Sequence, residues 1–107
     1  MLELIVYRAV DGREPFKDWF DSLDVHAAGK VTTALKRMTA GNLSDVKSLG
    51  AGVLERRINW GPGYRVYFAR DRDRVIVLLA GGTKNRQQQD ITAAQSFWAD
   101  YKRRTGS

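Results

Sequence analysis

Apolar positions recur along this chain in two rhythms. Residues 2–8 alternate weakly around Leu2, Leu4 and Val6, predicting a first strand that ends at an Asp11-Gly12 turn. Phe16, Trp19, Phe20 and Leu23 then follow the i, i+3, i+4, i+7 spacing of a short amphipathic helix, and Pro15 sits at its start, where a missing N–H is not needed. Asp24 is placed to cap a second helix whose stripe is Ala27, Val31, Ala34, Leu35 and Met38, with Gly41-Asn42 at its end. Beyond residue 52 the period shortens to two. Residues 53–60, 63–70 and 74–80 read as strands separated by Gly61-Pro62-Gly63 and Asp71-Arg72-Asp73. The run from Val75 to Ala80 is apolar on both faces, as an interior strand covered on each side must be, and Gly81-Gly82 is expected to break it. A last helix carries Ile91, Ala94, Trp98 and Tyr101 on one stripe and finishes in Lys102-Arg103-Arg104, cations that suit a helix C-terminus. The order β-α-α-β-β-β-α predicts an α+β fold, a single domain over residues 1–107 with an antiparallel meander and helices packed on it.

Composition narrows the chemistry. Cysteine is absent from the 107 residues, which removes a disulfide framework, a thiol nucleophile and thiolate zinc sites, and fits a cytoplasmic protein. The apolar start is broken at Glu3 and Arg8 and lacks a basic leader, so neither a secretory signal nor a membrane span is expected. The formal net charge is +6, unevenly divided. Residues 1–45 hold six basic and seven acidic side chains, a net of −1, whereas residues 46–107 hold twelve and five, a net of +7. A basic half on a small domain points toward a polyanion such as RNA or DNA.

The hairpin around Gly61-Pro62-Gly63 carries the most information. A Trp60-Gly61-Pro62 connection sets Ile58 opposite Tyr64 and Arg57 opposite Arg65, with Glu55 and Tyr67 as the next pair on the same face. Facing like charges destabilise a sheet unless an anion lies between them, and the planar guanidinium fork grips phosphate oxygens. The same residues also allow a polar sheet face on which Glu55 neutralises Arg57 while Arg65 points into solvent. Lys47 lies in the approach to the hairpin, and Lys84 and Arg86 follow the glycine pair, where a mobile loop can bring cations to the sheet edge. Arg56, Arg86 and Tyr67 complete a candidate RNA-contacting set around the candidate catalytic residues Arg65, Lys84, Lys47 and Arg57. His26 is the single histidine, so a two-histidine acid–base pair is excluded, and no acidic cluster has metal-ligand spacing. Gly81-Gly82-Thr83-Lys84 lacks the full P-loop spacing. The expectation is a site with no metal and no cofactor. RNA supplies its own nucleophile, the 2′-hydroxyl. A protein that cuts it must hold the nucleotide in line, stabilise the phosphorane and help the proton move, the last task falling to Lys47, Lys84 or Glu55.

Three segments carry a family resemblance: Leu-Gly-Ala-Gly-Val-Leu-Glu-Arg-Arg-Ile (49–58), Gly-Pro-Gly-Tyr-Arg-Val-Tyr-Phe (61–68) and Leu-Leu-Ala-Gly-Gly-Thr-Lys (78–84). Pro-Phe-Lys-Asp-Trp-Phe (15–20), Gly-Asn-Leu-Ser-Asp-Val-Lys (41–47) and Gln-Gln-Asp-Ile-Thr-Ala-Ala (88–94) support it. Together they resemble the RelE/ParE superfamily of bacterial toxins, nearest its HigB-like branch of addiction-module killer proteins. The resemblance implies a toxin of a type II toxin–antitoxin system that cuts mRNA on the ribosome and so inhibits translation. Its implied partners are a cognate helix-turn-helix antitoxin, mRNA and the ribosome. It places Arg65 at the family's main catalytic arginine, Lys47 near its strand lysines, Lys84 at a basic residue near the leaving group and Arg57 at a further basic position. Asp90 stands where RelE has a tyrosine. The same superfamily contains ParE-like inhibitors of DNA gyrase that cut nothing, which is the alternative activity, and a basic binding module without toxicity is a third.

Overall fold

The computed structural model describes residues 1–106. Five strands form one sheet: β1 (Glu3–Val6), β2 (Val46–Gly50), β3 (Val53–Ile58), β4 (Tyr64–Asp71) and β5 (Val75–Thr83), in spatial order β1-β5-β4-β3-β2. Helices α1 (Pro15–Asp21) and α2 (Val25–Thr39) cover one face, and α3 (Gln87–Thr105) covers the other. This is the expected α+β architecture, with two additions. Strands β2 to β5 make the antiparallel meander, but β1 runs parallel to β5, a pairing open to it because both helices intervene before the chain returns to the sheet. Residues 46–50 form an edge strand where no strand was expected. Its short Val-Lys-Ser-Leu-Gly sequence hardly alternates, and a register shift between Ser48 and Gly50 interrupts its pairing with β3.

The α1–α2 side is sealed by Phe16, Val31, Ala34 and Met38 against Ile58, Val66, Phe68, Ile76 and Leu78. Asp24 caps α2 by accepting a hydrogen bond from the Ala27 N–H at 2.8 Å. The α3 side packs Ala94 and Trp98 onto Val53, Tyr67, Ala69, Val77 and Leu79. Two phenols fasten that helix to the sheet. Tyr7 donates to Asp100 at 2.6 Å, and Tyr101 donates to Asp71 at 2.7 Å. Among the described residues no helix is long and apolar enough to cross a membrane.

The glycine pair does not end β5. The strand continues through Gly81 and Gly82 to Thr83, and Lys84 opens a short 3₁₀ turn that leads directly into α3, so the expected mobile loop is a strand end. Glycine is needed there for close packing. A Cβ on Gly81 would stand 2.0 Å from the Trp19 ring, and one on Gly82 would stand 2.1 Å from a carboxylate oxygen of Asp90. Leu79 is the extra residue of a bulge that lets both Leu79 and Ala80 oppose Tyr67 and sets the register of the glycines that follow.

Candidate functional site

Strand β3 alternates in a way that puts a carboxylate inside the protein. Leu54 and Ile58 pack toward α2, whereas Val53 packs toward α3, and the pleat places Glu55 and Arg57 on Val53's face. Glu55 is 1% exposed. Pairing with β4 is as the turn predicted: Ile58 opposite Tyr64, Arg57 opposite Arg65 and Glu55 opposite Tyr67. With the outer strands added, two rows cross the sheet on the α3 side. One is Lys47, Glu55, Tyr67 and Ala80, and the other is Arg57, Arg65 and Gly82.

The partner of Glu55 is Arg65. The Arg65 Nε lies 3.3 Å from Glu55 Oε2, and the arginine side chain keeps only 12% of its exposure. Gln87, in the first turn of α3, donates its side-chain N–H to the same oxygen at 3.1 Å. Glu55 therefore does not serve to neutralise Arg57 and leave Arg65 in solvent. The carboxylate is fixed by Gln87, and it in turn holds one edge of the Arg65 guanidinium without accepting a well-formed hydrogen bond from Nε. Arg57 is exposed at the adjoining register position.

Asp90 approaches the row from the helix, its carboxylate resting against Gly82, the register partner of Arg65. Burial raises its proton affinity, opposed by the Arg86 charge. Tyr67 corrects a sequence expectation. A place in the RNA-contacting set does not fit it, because it is fully buried and its hydroxyl has no hydrogen-bond partner among the described residues. The alternation that puts it on the Arg65 face also puts it beneath α3. Burial and the nearby Glu55 and Asp90 charges push the phenol's pKa up, with Arg65 opposing.

The remaining expected residues divide by location. Lys47 is exposed on β2, beside Glu55 in register. Lys84 and Arg86 are exposed past Thr83, at the same end of the sheet as the Arg57–Arg65 row, and Arg86 donates to Gln89 at 2.9 Å. Arg56 lies on the opposite sheet face, 7% exposed, near Asp45. Sequence reasoning missed Gln87 altogether and treated Asp90 only as a departure from the family pattern. The legible signal for both was that they sit i, i+3 at the start of an amphipathic helix, on the side that faces the sheet. Among the described residues no group of three or more His, Asp or Glu side chains is close enough to share a metal ion.

A five-stranded sheet with α1 and α2 on one face and α3 on the other is the RelE-like arrangement of small toxin domains. The pattern of the family described as phage derived protein Gp49-like (DUF891) matches residues 18–96. An uncharacterized protein of Haemophilus influenzae is 38% identical over 81 residues, 75% of this chain and 82% of that relative. The chain belongs to the Gp49-like family, a RelE/HigB-like family of toxins from toxin–antitoxin systems.

Proposed function

We propose that the protein is an endoribonuclease that cuts mRNA on the ribosome, with Arg65 acting on the scissile phosphate. The observation that carries this reading is the Arg65–Glu55 contact at 3.3 Å beneath α3. An arginine held by a 1%-exposed carboxylate is already oriented, so little ordering entropy remains to be lost when a phosphate arrives. In this reading Arg65 stabilises the charge that builds on the phosphorane as the RNA's 2′-hydroxyl attacks. Exposed Arg57 in the same row neutralises a neighbouring phosphate oxygen. Lys47 and Lys84 flank the row and supply the remaining cations. Glu55 is a positioning residue, acting through Arg65. Asp90 rests against Gly82, Arg65's strand partner, and is the carboxylate we assign to take the 2′-hydroxyl proton as the new O–P bond forms and to return it to the leaving 5′-oxygen as the old bond breaks. The cognate antitoxin is the natural regulator of such a site, and an acidic segment would match the +7 half of the chain.

Expression of the protein alone is expected to arrest growth, and Arg65→Ala to relieve the arrest. Mapping mRNA 5′ ends after induction checks the chemistry. New ends inside translated codons support the nuclease, and intact messages with accumulated gyrase–DNA breaks would instead assign the ParE-like activity.

A further inference from the structure

On the sheet face away from Arg65, a groove of about 280 Å³ runs between α2 and the end of β3. Lys30, Thr33, Ala34 and Arg37 line one wall at i, i+3, i+4, i+7 spacing, and Arg56 and Trp60 belong to the other. Three of these six side chains are cationic, and Asp45 is the single carboxylate in the lining. Asp45 pairs with one of them, 3.6 Å from the Arg56 guanidinium, through a side chain that is 64% exposed and so screened by water, and among the described residues no carboxylate pairs with Lys30 or Arg37. Arg56 is more than nine-tenths buried. It spends one N–H on the Arg57 carbonyl at 2.6 Å, while its Nε has no acceptor among the described residues. A buried, under-compensated guanidinium beside two exposed cations is unfavourable for folding alone. It becomes favourable when an anion enters.

We propose that this groove is a second phosphate-binding site, holding the backbone of the same RNA strand a few nucleotides from the bond at Arg65. The inference rests on the endoribonuclease reading and extends it to substrate grip. Continuity favours a nucleic-acid strand over an acidic peptide, because Arg57, whose side chain stands on the Arg65 face as its register partner, also forms part of the groove's edge at the end of β3. A strand crossing the end of the hairpin meets Arg65, Arg57 and then the Lys30–Arg37–Arg56 cluster without leaving positive charge. The indole of Trp60 is occupied on the protein side, 6.3 Å from Tyr64 and 5.8 Å from Lys30 Nζ. The cations in the lining make the groove a reader of backbone charge.

The test uses a fluorescein-labelled 12-nucleotide RNA with 2′-O-methyl sugars, which can bind but not be cut, followed by anisotropy across a salt series. Lys30→Ala/Arg37→Ala changes two exposed side chains and spares the core. The double variant is expected to weaken binding about tenfold at low salt and to lower the log–log salt slope by about 1.4, two phosphate contacts at about 0.7 each. Arg72→Ala/Arg74→Ala, the same charge loss at the far end of β4, is expected to move the slope much less. A three-nucleotide RNA, too short to span both sites, is expected to bind the Lys30/Arg37 variant as well as the wild type. Equal losses from the two double variants would reduce the effect to net charge and overturn the proposal. So would unchanged RNA binding combined with lost affinity for a decaglutamate peptide, which would give the groove to a protein partner. Relief of growth arrest by Arg65→Ala alongside an unaltered salt slope would reject the groove and leave the nuclease standing.

Discussion

The two faces of the sheet bury different things. Beneath α1 and α2 the interior is apolar, Phe68 and Ile76 against Val31 and Met38, and charge is confined to a groove at the rim. Beneath α3 the apolar packing around Trp98 gives way, toward the helix N-terminus, to Glu55, Arg65, Tyr67, Gln87 and Asp90. The first face has the composition of a surface built for stability. The second encloses an ion pair and a phenol that finds no hydrogen-bond partner among the described residues, an arrangement that contributes little net stability and is kept where orientation matters more.

The largest effect is expected on the apolar face. Phe68→Ala should lower unfolding free energy by about 3–5 kcal/mol in a urea titration, because the aromatic is fully buried and its neighbours close in only partly. A loss below about 1 kcal/mol would mean this face is not the stabilising one. Removing one partner of the enclosed pair comes next. Glu55→Ala should cost about 2–3 kcal/mol, somewhat below a fully buried pair since Arg65 retains some exposure. Glu55→Leu/Arg65→Met should recover most of that loss. If the double variant were as unstable as the sum of the single ones, the pair would be structural and the contrast between the faces would fail.

Smaller effects sharpen the picture around Asp90. Gly82→Ala is expected to destabilise by about 1–2 kcal/mol through its clash with the Asp90 carboxylate, and Asp90→Ala should relieve part of it in a double-mutant cycle. The smallest effect is a pH dependence. Burial raises the Asp90 pKa in the folded protein, so the native state binds this proton more tightly than the unfolded chain. The associated stability is present below the unfolded carboxylate pKa and is lost as pH rises through the folded one. Asp90→Asn should match the wild type in acid and become the more thermostable of the two as pH climbs out of the carboxylate range. An advantage that shrinks with rising pH would contradict the burial assignment.

The sequence made the hairpin legible because its turn is punctuated without ambiguity. Gly61 and Gly63 both adopt positive φ, 58° and 82°, on either side of Pro62, and the Arg57–Arg65 register follows from counting outward. The helix stripes were equally clear, as Ala27, Val31, Ala34 and Met38 are all buried. Other features depended on contacts between distant segments. Gly81-Gly82 reads as a strand breaker until Trp19 and Asp90 are seen lying against it. Tyr67 looks like a surface tyrosine unless α3 is known to cover that row, and the choice of Arg65 over Arg57 by Glu55 is made by Gln87 and helix docking, to which residue order alone gives no clue.

The most direct measurement is primer-extension mapping of a reporter mRNA translated in a cell-free system with purified wild-type protein or the Glu55→Leu/Arg65→Met variant. The apolar pair is expected to leave the fold intact by urea titration yet lower cleavage at least about a hundredfold, since the group that meets the phosphate is gone. A stably folded variant that still cuts at the wild-type rate would contradict the account.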